Sequence, residues 1–451
     1  MKNNYTSKTF ADIRKVYKED EQRNIDYLSS VYNDPIYLFN LIKDLFESNI
    51  SDDVIFNKNI LLKPNWVRHC INKNDTICLC TNERFLLVAL DVVLTKKPKS
   101  VILGDAPIQG CIWEKLLSKE FYEKCSELSV KHTIPIKIKD FRHITYTPNL
   151  NRPINERNPL SDYLIFNLGK DSYLESICSE KNIFRVTGYN PDRLADAHHK
   201  GVHKYCITKE LFDADVVITI PKVKTHQKSG ITNSLKIIVG VNGDKDYLPH
   251  HRRGGTKDGG DCYPGSNFLR KIAEYLLDEA NRKIGRKQYR YLTCLSAIFW
   301  KLSRPENVHN LAAGWYGNDT VWRMVFDLNQ IAIYGKMDGT LSEEPQREVY
   351  SLCDGIIGGQ GNGPLNPDPL ALGLVSFSNN AELMDVAIGY LFGLNIEKIP
   401  LLIEAKKIID TKPYSLFLDK RHILLNDLKS HSINVKMPPG WLIYNNIHNT
   451  L

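Results

Sequence analysis

The fold is decided by the stretch 213-DADVVITIPKVKTHQKSGITNSLKIIVGVNGDKDYLPHHRRGGTKDGGDCYP-264. Its β-branched run, Val216–Ile220, reads as a buried strand that stops at Pro221. The next segment is basic, with Lys222, Lys224, His226 and Lys228. Ser229 and Gly230 form a small-residue turn, and residues 232–240 are predicted to be a helix. A loop follows with His250, His251, Arg252, Arg253 and the glycines 254, 255, 259 and 260. An apolar strand that discharges into polar residues at its C-terminal end is where open α/β sheets place their sites.

Upstream, 60–62 reads as a short strand ending at Lys63, Pro64 and Asn65, and 100–103 as a second ending at Gly104 and Asp105. A third strand is expected at 134–138, with helices at 84–94 and 112–128 between them. Strand, helix, strand at these spacings predicts a parallel sheet with right-handed crossovers. Lys63, Asn65 and Asp105 then share the sheet edge on which His226 lies. Further strands are expected at 163–168 and 183–188, and a loop at 142–160.

Downstream, helical periodicity marks 267–283 and 319–334. A strand at 349–354 leads into the glycine-rich run 355–364, followed by a strand at 372–377 and an apolar helix at 381–392 that carries Asp385. The tail, 410–451, reads as irregular. The fold class is α/β, with Rossmann-like, mostly parallel sheets in two packed domains and a cleft between them. The expected units are a helical extension at 1–57, a main α/β domain at 58–345 with a helical insertion at about 263–335, and a C-terminal α/β unit at 346–451.

The chain has 451 residues, 42% hydrophobic and 25% charged, with a net charge of +7. That is ordinary globular material. The lysines and arginines are scattered, which fits a small anionic partner and argues against nucleic acid. No apolar run reaches the ~20 residues of a membrane span, and the N-terminus has no signal-peptide core. The ten cysteines are dispersed, without a C-x-x-C or a ferredoxin-type run, so reduced thiols in a cytoplasmic protein are expected and a cysteine-ligated iron–sulfur cluster is not. A homo-oligomer is compatible with the sequence.

The chemistry concentrates after the opening strand. Lys222, Lys224, Lys228 and His226 would repel one another unless something anionic sat among them. A helix beginning near Gly230 would present free N–H groups to an anion, with Thr232, Asn233 and Lys236 nearby. Lys236 precedes a fully apolar run, where a charge needs a partner; it can hold a carboxylate or phosphate, or act as a base. A divalent metal would draw on His226 with His250 or His251 and an Asp as third ligand, and the glycines around those histidines would let the loop close as a lid. In the second glycine run, Gly361 and Gly363 allow backbone to approach a ligand. Asp385, inside an apolar helix, must be paired, capped or functional. His198, His199 and His203 form a second, weaker cluster suited to structural contacts.

LLKPNW, DADVVITIPKVKTH, GITNSLKIIVGVNGDKDYLPHHRRGG and DGIIGGQGNGP together resemble the domain-of-unknown-function 362 family. FRVTGYNPDRLADAHHKGVHKY and GWYGNDTVWRMVFDLN mark a subgroup of it. Many members carry a ferredoxin segment that this chain lacks, and Gln360 stands where relatives often have glutamate. More distantly, the central stretch is similar to the nickel-pincer lactate racemase family. That resemblance implies roles for His226, Gly230 and Lys236, a later nickel-binding histidine at His250 or His251, and a cleft between α/β domains. The combined expectation is an enzyme of isomerase or lyase type acting on an anionic small molecule. In it Lys63, Lys224 and Lys236 hold the anion and His226 performs acid–base or metal work. The alternatives are a non-catalytic binding module, or a redox protein using a partner's cluster.

Overall fold

The computed structural model describes residues 9–17, 23–146, 155–180, 182–304 and 311–444. Val216–Ile220 is buried along its whole length and lies inside an eleven-stranded sheet. We number the strands of this sheet in chain order. The first four are β1 Thr9–Lys15, β2 Asn59–Pro64, β3 Ser100–Asp105 and β4 Ile136–Asp140. The opening stretch supplies β5 Val216–Ile220, β6 Lys222–His226 and β7 Gly230–Thr232. The last four are β8 Glu348–Gln360, β9 Asp368–Ser378, β10 Tyr414–Leu418 and β11 Arg421–His422. Their order is β11-β10-β1-β9-β8-β5-β2-β3-β4, and β6 branches off to pair with β8 and β7.

From β8 through β5, β2 and β3 to β4 every pairing is parallel, and so are β6 with β8 and β1 with β10. Parallel strands buried on both faces read as continuous apolar runs because helices cover both sides. Val216, Ile218 and Ile220 join one core, with residues of Pro35–Asn49, Glu83–Thr95 and Lys119–His132. Val217 joins the other, with residues of Val321–Tyr334, Ala381–Leu391 and Pro400–Ile409. The α/β class with a mostly parallel sheet is therefore the observed one.

Three expectations change. The segment expected to be a helical extension supplies β1, which pairs with both β9 and β10. Its apolar pattern is broken by Asp12 and Arg14, which are buried as an ion pair at 2.6 Å. The tail supplies β10, so strands from all three expected units share one sheet. The glycine run does not form a loop directly after Asp354, because β8 continues through to Gln360. The helical insertion contains Phe268–Asn281, Gln288–Leu302 and Val321–Tyr334. Part of the loop expected at 142–160 lies outside the described residues. Among the described residues, no helix is long and apolar enough to cross a membrane.

Candidate functional site

The carboxyl ends of β2 and β3 bring Lys63 and Asp105 together. Lys63 Nζ donates to Asp105 Oδ1 at 2.8 Å, and Asp105 Oδ2 accepts from the Trp66 N–H at 2.6 Å. Gly240 packs directly on this pair. A Cβ there would lie 1.7 Å from Asp105 Oδ1 and 2.6 Å from Lys63 Nζ, so only glycine fits. The Gly240 carbonyl in turn accepts from the Ala106 N–H, which fastens the segment after β7 to the end of β3.

Around this junction lies a cavity of about 770 Å³. Its wall contains Lys63, Lys224, Lys228, Lys236 and Lys245, the imidazoles His226 and His250, and a single carboxylate, Asp105. Asn65 and Thr232 also line it. The rest of the lining is largely aromatic and apolar, with Trp66, Tyr146, Val186, Tyr189, Leu248 and Tyr289.

Desolvation and mutual repulsion act together on the cations. Burial, followed by the charge of Lys228, pushes Lys236 down to about 7. Burial lowers Lys224, Lys228 and Lys245 to about 8 each. Lys63 is lowered by burial and partly restored by Asp105. Burial and the neighbouring lysines hold His226 and His250 well below the usual imidazole range, so both are neutral at physiological pH.

Their hydrogen bonds fix opposite tautomers. His226 Nδ1 lies 3.0 Å from the Lys228 N–H and 3.2 Å from that of Ser229. Backbone N–H groups only donate, so this nitrogen carries no proton and Nε2 does. His250 Nδ1 lies 2.8 Å from the Leu248 carbonyl, which only accepts. Here Nδ1 is protonated and Nε2 keeps its lone pair.

Of the residues singled out in the sequence, Lys63, Asn65, Asp105, Lys224, His226, Thr232, Lys236 and His250 meet at this cavity. Asn233 does not; it lies beside Asp385 and Cys353. Gly361 and Gly363 also stay outside. The Gly361 carbonyl accepts from Thr225 Oγ1 at 3.1 Å, and a Cβ on Gly363 would meet the Thr225 carbonyl at 2.0 Å. Both clamp β6 from behind, and only the adjoining Pro364 and Leu365 reach the cavity. Lys222 also leaves the expected cationic cluster: its Nζ is bonded to Asp354 and to the Tyr32 hydroxyl, each at 2.9 Å. The pairing of β6 with β8 shifts register between Lys222 and Lys224, and the two lysines have separate surroundings.

The expected helix at 232–240 is instead β7 followed by a 3-10 segment, Lys236–Val241. The N–H groups of the turn just before it are not offered to a ligand, because the Asp385 carboxylate accepts from Ser234 and Leu235 at 2.8 and 3.3 Å. Asp385 thus caps the turn that delivers Lys236, and burial pushes it up to about 8. Of the histidines expected as metal ligands, His226 and His250 line the cavity and His251 does not. His251 pairs with Arg185 in a short separate ribbon, while His250 faces the cavity. Among the described residues, no group of three His, Cys, Asp or Glu side chains is placed to hold a metal ion. The loop expected as a lid is pinned as well: Asp261 accepts from the Arg252 and Asp319 N–H groups and from Thr320 Oγ1. His198 and His203 are buried 3.4 Å apart, with His203 on Glu175, away from the cavity.

Sequence reasoning did not select Lys245 or the aromatic wall. Lys245 sits in a short turn with no strand end to flag it, and its Nζ donates to the Ala106 carbonyl at 3.1 Å.

The molecule is thus an α/β protein with a cationic cavity at the carboxyl ends of parallel strands. Residues 167–389 match the family model described as "Domain of unknown function (DUF362)", and this stretch includes Lys224, His226, Lys236 and His250. Among solved structures, the lactate racemase apoprotein from Thermoanaerobacterium thermosaccharolyticum aligns over 97% of this chain and 90% of its own, with 8% identity and a TM-score of 0.30. No curated protein matches the chain.

Proposed function

We propose that the cavity is the active site of an enzyme that moves a proton on a small organic anion, in an isomerase- or lyase-type reaction. One observation carries this reading: two neutral imidazoles of opposite tautomer line a cavity whose lysines outnumber its carboxylates. His250 Nε2 has the lone pair to accept a proton, and His226 Nε2–H has one to donate. Abstraction of a proton beside a carboxylate or carbonyl leaves an enolate-like oxyanion. Lys224 and Lys228 supply positive charge where that oxyanion develops. Lys236, with a pKa of about 7, is also matched to proton transfer near neutrality. No step here requires a metal or a tethered cofactor.

The test begins with small anions released from the purified, denatured protein and identified by mass spectrometry. Each is then incubated with the native protein in D₂O, and solvent deuterium entering its C–H positions is followed by NMR. The native protein should catalyse exchange. His250→Gln should fold normally, bind the same anion and lose exchange by about 10²-fold or more, the usual contribution of a general base. Binding without exchange in the native protein would make the cavity a holding site and end the catalytic reading.

A further inference from the structure

The cavity holds more donors than one small carboxylate can engage. Among the described residues, Lys224, Lys228, Lys236 and Lys245 form no ion pair with a carboxylate; Lys224 and Lys245 reach only the carbonyls of Leu79 and Ala106. Three further polar atoms of residues that line the cavity are buried without any hydrogen-bond partner: Trp66 Nε1, Gln109 Nε2 and Thr232 Oγ1. These residues are 1%, 1% and 5% exposed. Buried polar groups are almost always bonded, so these three await atoms that the protein itself does not provide. All three can donate. The Gln109 amide is oriented by the Tyr189 hydroxyl on its Oε1, which leaves Nε2 as its unpartnered donor.

Acceptor capacity separates the ligand classes. A carboxylate offers roughly four lone-pair sites, whereas each phosphoryl group brings three strong acceptor oxygens and a charge of about −1.5 to −2. Four ammonium groups, the His226 Nε2–H and the three orphaned donors exceed what a monocarboxylate can satisfy. The volume of about 770 Å³ also lies within the ~300–1,000 Å³ typical of larger ligands.

We infer that the cavity takes an organic ester bearing two phosphoryl groups, with its anionic end on the four lysines and its organic body against Tyr146, Tyr189 and Tyr289. The inference rests on the reading above that this cavity is the functional site, and it names the class of ligand. The rings of Tyr146 and Tyr189 lie 5.6 Å apart and are tilted by 38°, and they offer the body an aromatic surface.

Isothermal titration at fixed ionic strength, with inorganic pyrophosphate, orthophosphate, phenyl phosphate and acetate as probes, tests the inference. Pyrophosphate should bind at least about tenfold more tightly than orthophosphate, the scale of one added charge-assisted hydrogen bond, and acetate more weakly still. Phenyl phosphate should bind more tightly than orthophosphate, and Tyr189→Ala should remove that difference. Lys228→Met/Lys236→Met should lose pyrophosphate binding while its unliganded melting temperature stays level or rises, which separates lost binding from lost folding. Acetate binding as tightly as pyrophosphate, or a double variant that binds pyrophosphate as the native protein does, overturns the inference. Equal affinities for phenyl phosphate and orthophosphate overturn the organic body. None of these outcomes bears on deuterium exchange, so the proton-transfer reading fails or stands on its own measurement.

Discussion

Lys63 and Asp105 close a buried ion pair across adjacent parallel strands, with Nζ 2.8 Å from Oδ1, and they do so at the one place where Gly240 leaves room for them. The pair neutralises the floor of a cavity whose other lysines have no such partner. It also ties three distant parts of the chain to one point, through the ends of β2 and β3 and the segment after β7.

Breaking this pair from one side strands a buried charge, at a cost of about 3–5 kcal/mol. Asp105→Ala should lose stability on that scale in urea denaturation. Lys63→Met/Asp105→Leu removes both charges and should recover a large part of the loss. If the double variant were as unstable as the single one, the pair would have no coupling of its own.

Gly240→Ala places a methyl group 1.7 Å from Asp105 Oδ1. Overpacking of this kind costs about 1–3 kcal/mol, which thermal denaturation would show as a lower melting temperature. Gly110→Ala is the control, because a Cβ at that position meets nothing within 4 Å. Its melting temperature should match that of the native protein.

The depressed lysines make stability depend on pH in a defined direction. In the folded chain Lys236 holds its proton only up to about pH 7, whereas the unfolded chain holds it to about 10.4. Between those values the unfolded state binds more protons, so stability rises with pH, and the penalty from this group is complete below the folded value. Lys236→Met removes the group. Without ligand, the variant should be more stable than the native protein near neutrality, and the gap should close as pH approaches the unfolded value. Melting curves of both proteins across that range provide the measurement. A gap that widens with pH would contradict the assignment.

Long-range ¹H–¹⁵N NMR reads the two tautomers directly. His226 should show a protonated Nε2 and His250 a protonated Nδ1, as their backbone partners require. Neither ring should become charged on titration down through pH 6, because burial holds both far below the ordinary imidazole value. Two imidazoles with the same tautomer would remove the acid–base pairing.

Local pattern made the centre of the sheet legible. Val216–Ile220 is apolar on both faces, and its proline stop marks the strand end. Lys63, Asp105 and His226 follow strand ends in the same way, and parallel strands bring such ends together. Long-range compensation was not legible. Asp12 and Arg14 spoil the alternation of β1 in the sequence, yet each neutralises the other inside the fold. Asp385 satisfies the N–H groups of Ser234 and Leu235 from 150 residues away, so a helix N-terminus read as an anion site is already occupied. Lys222 and Lys224 look equivalent in the sequence, but a register shift and Asp354 give them different surroundings. Lys245 and the tyrosines have no local signature, since only the folded chain brings them to the cavity.

The position of β1 has a consequence for the order of synthesis. Thr9–Lys15 lies between Asp368–Ser378 and Tyr414–Leu418, so this strand waits for segments made much later to complete its hydrogen bonds. Through most of translation it is an unpaired strand with two open edges, the state most prone to pairing with other chains. A nascent chain that stops before Asp368 leaves it with neither partner, whereas one that stops after Ser378 restores one edge. Closure of both edges of Thr9–Lys15 therefore depends on Asp368–Ser378 and Tyr414–Leu418 being made.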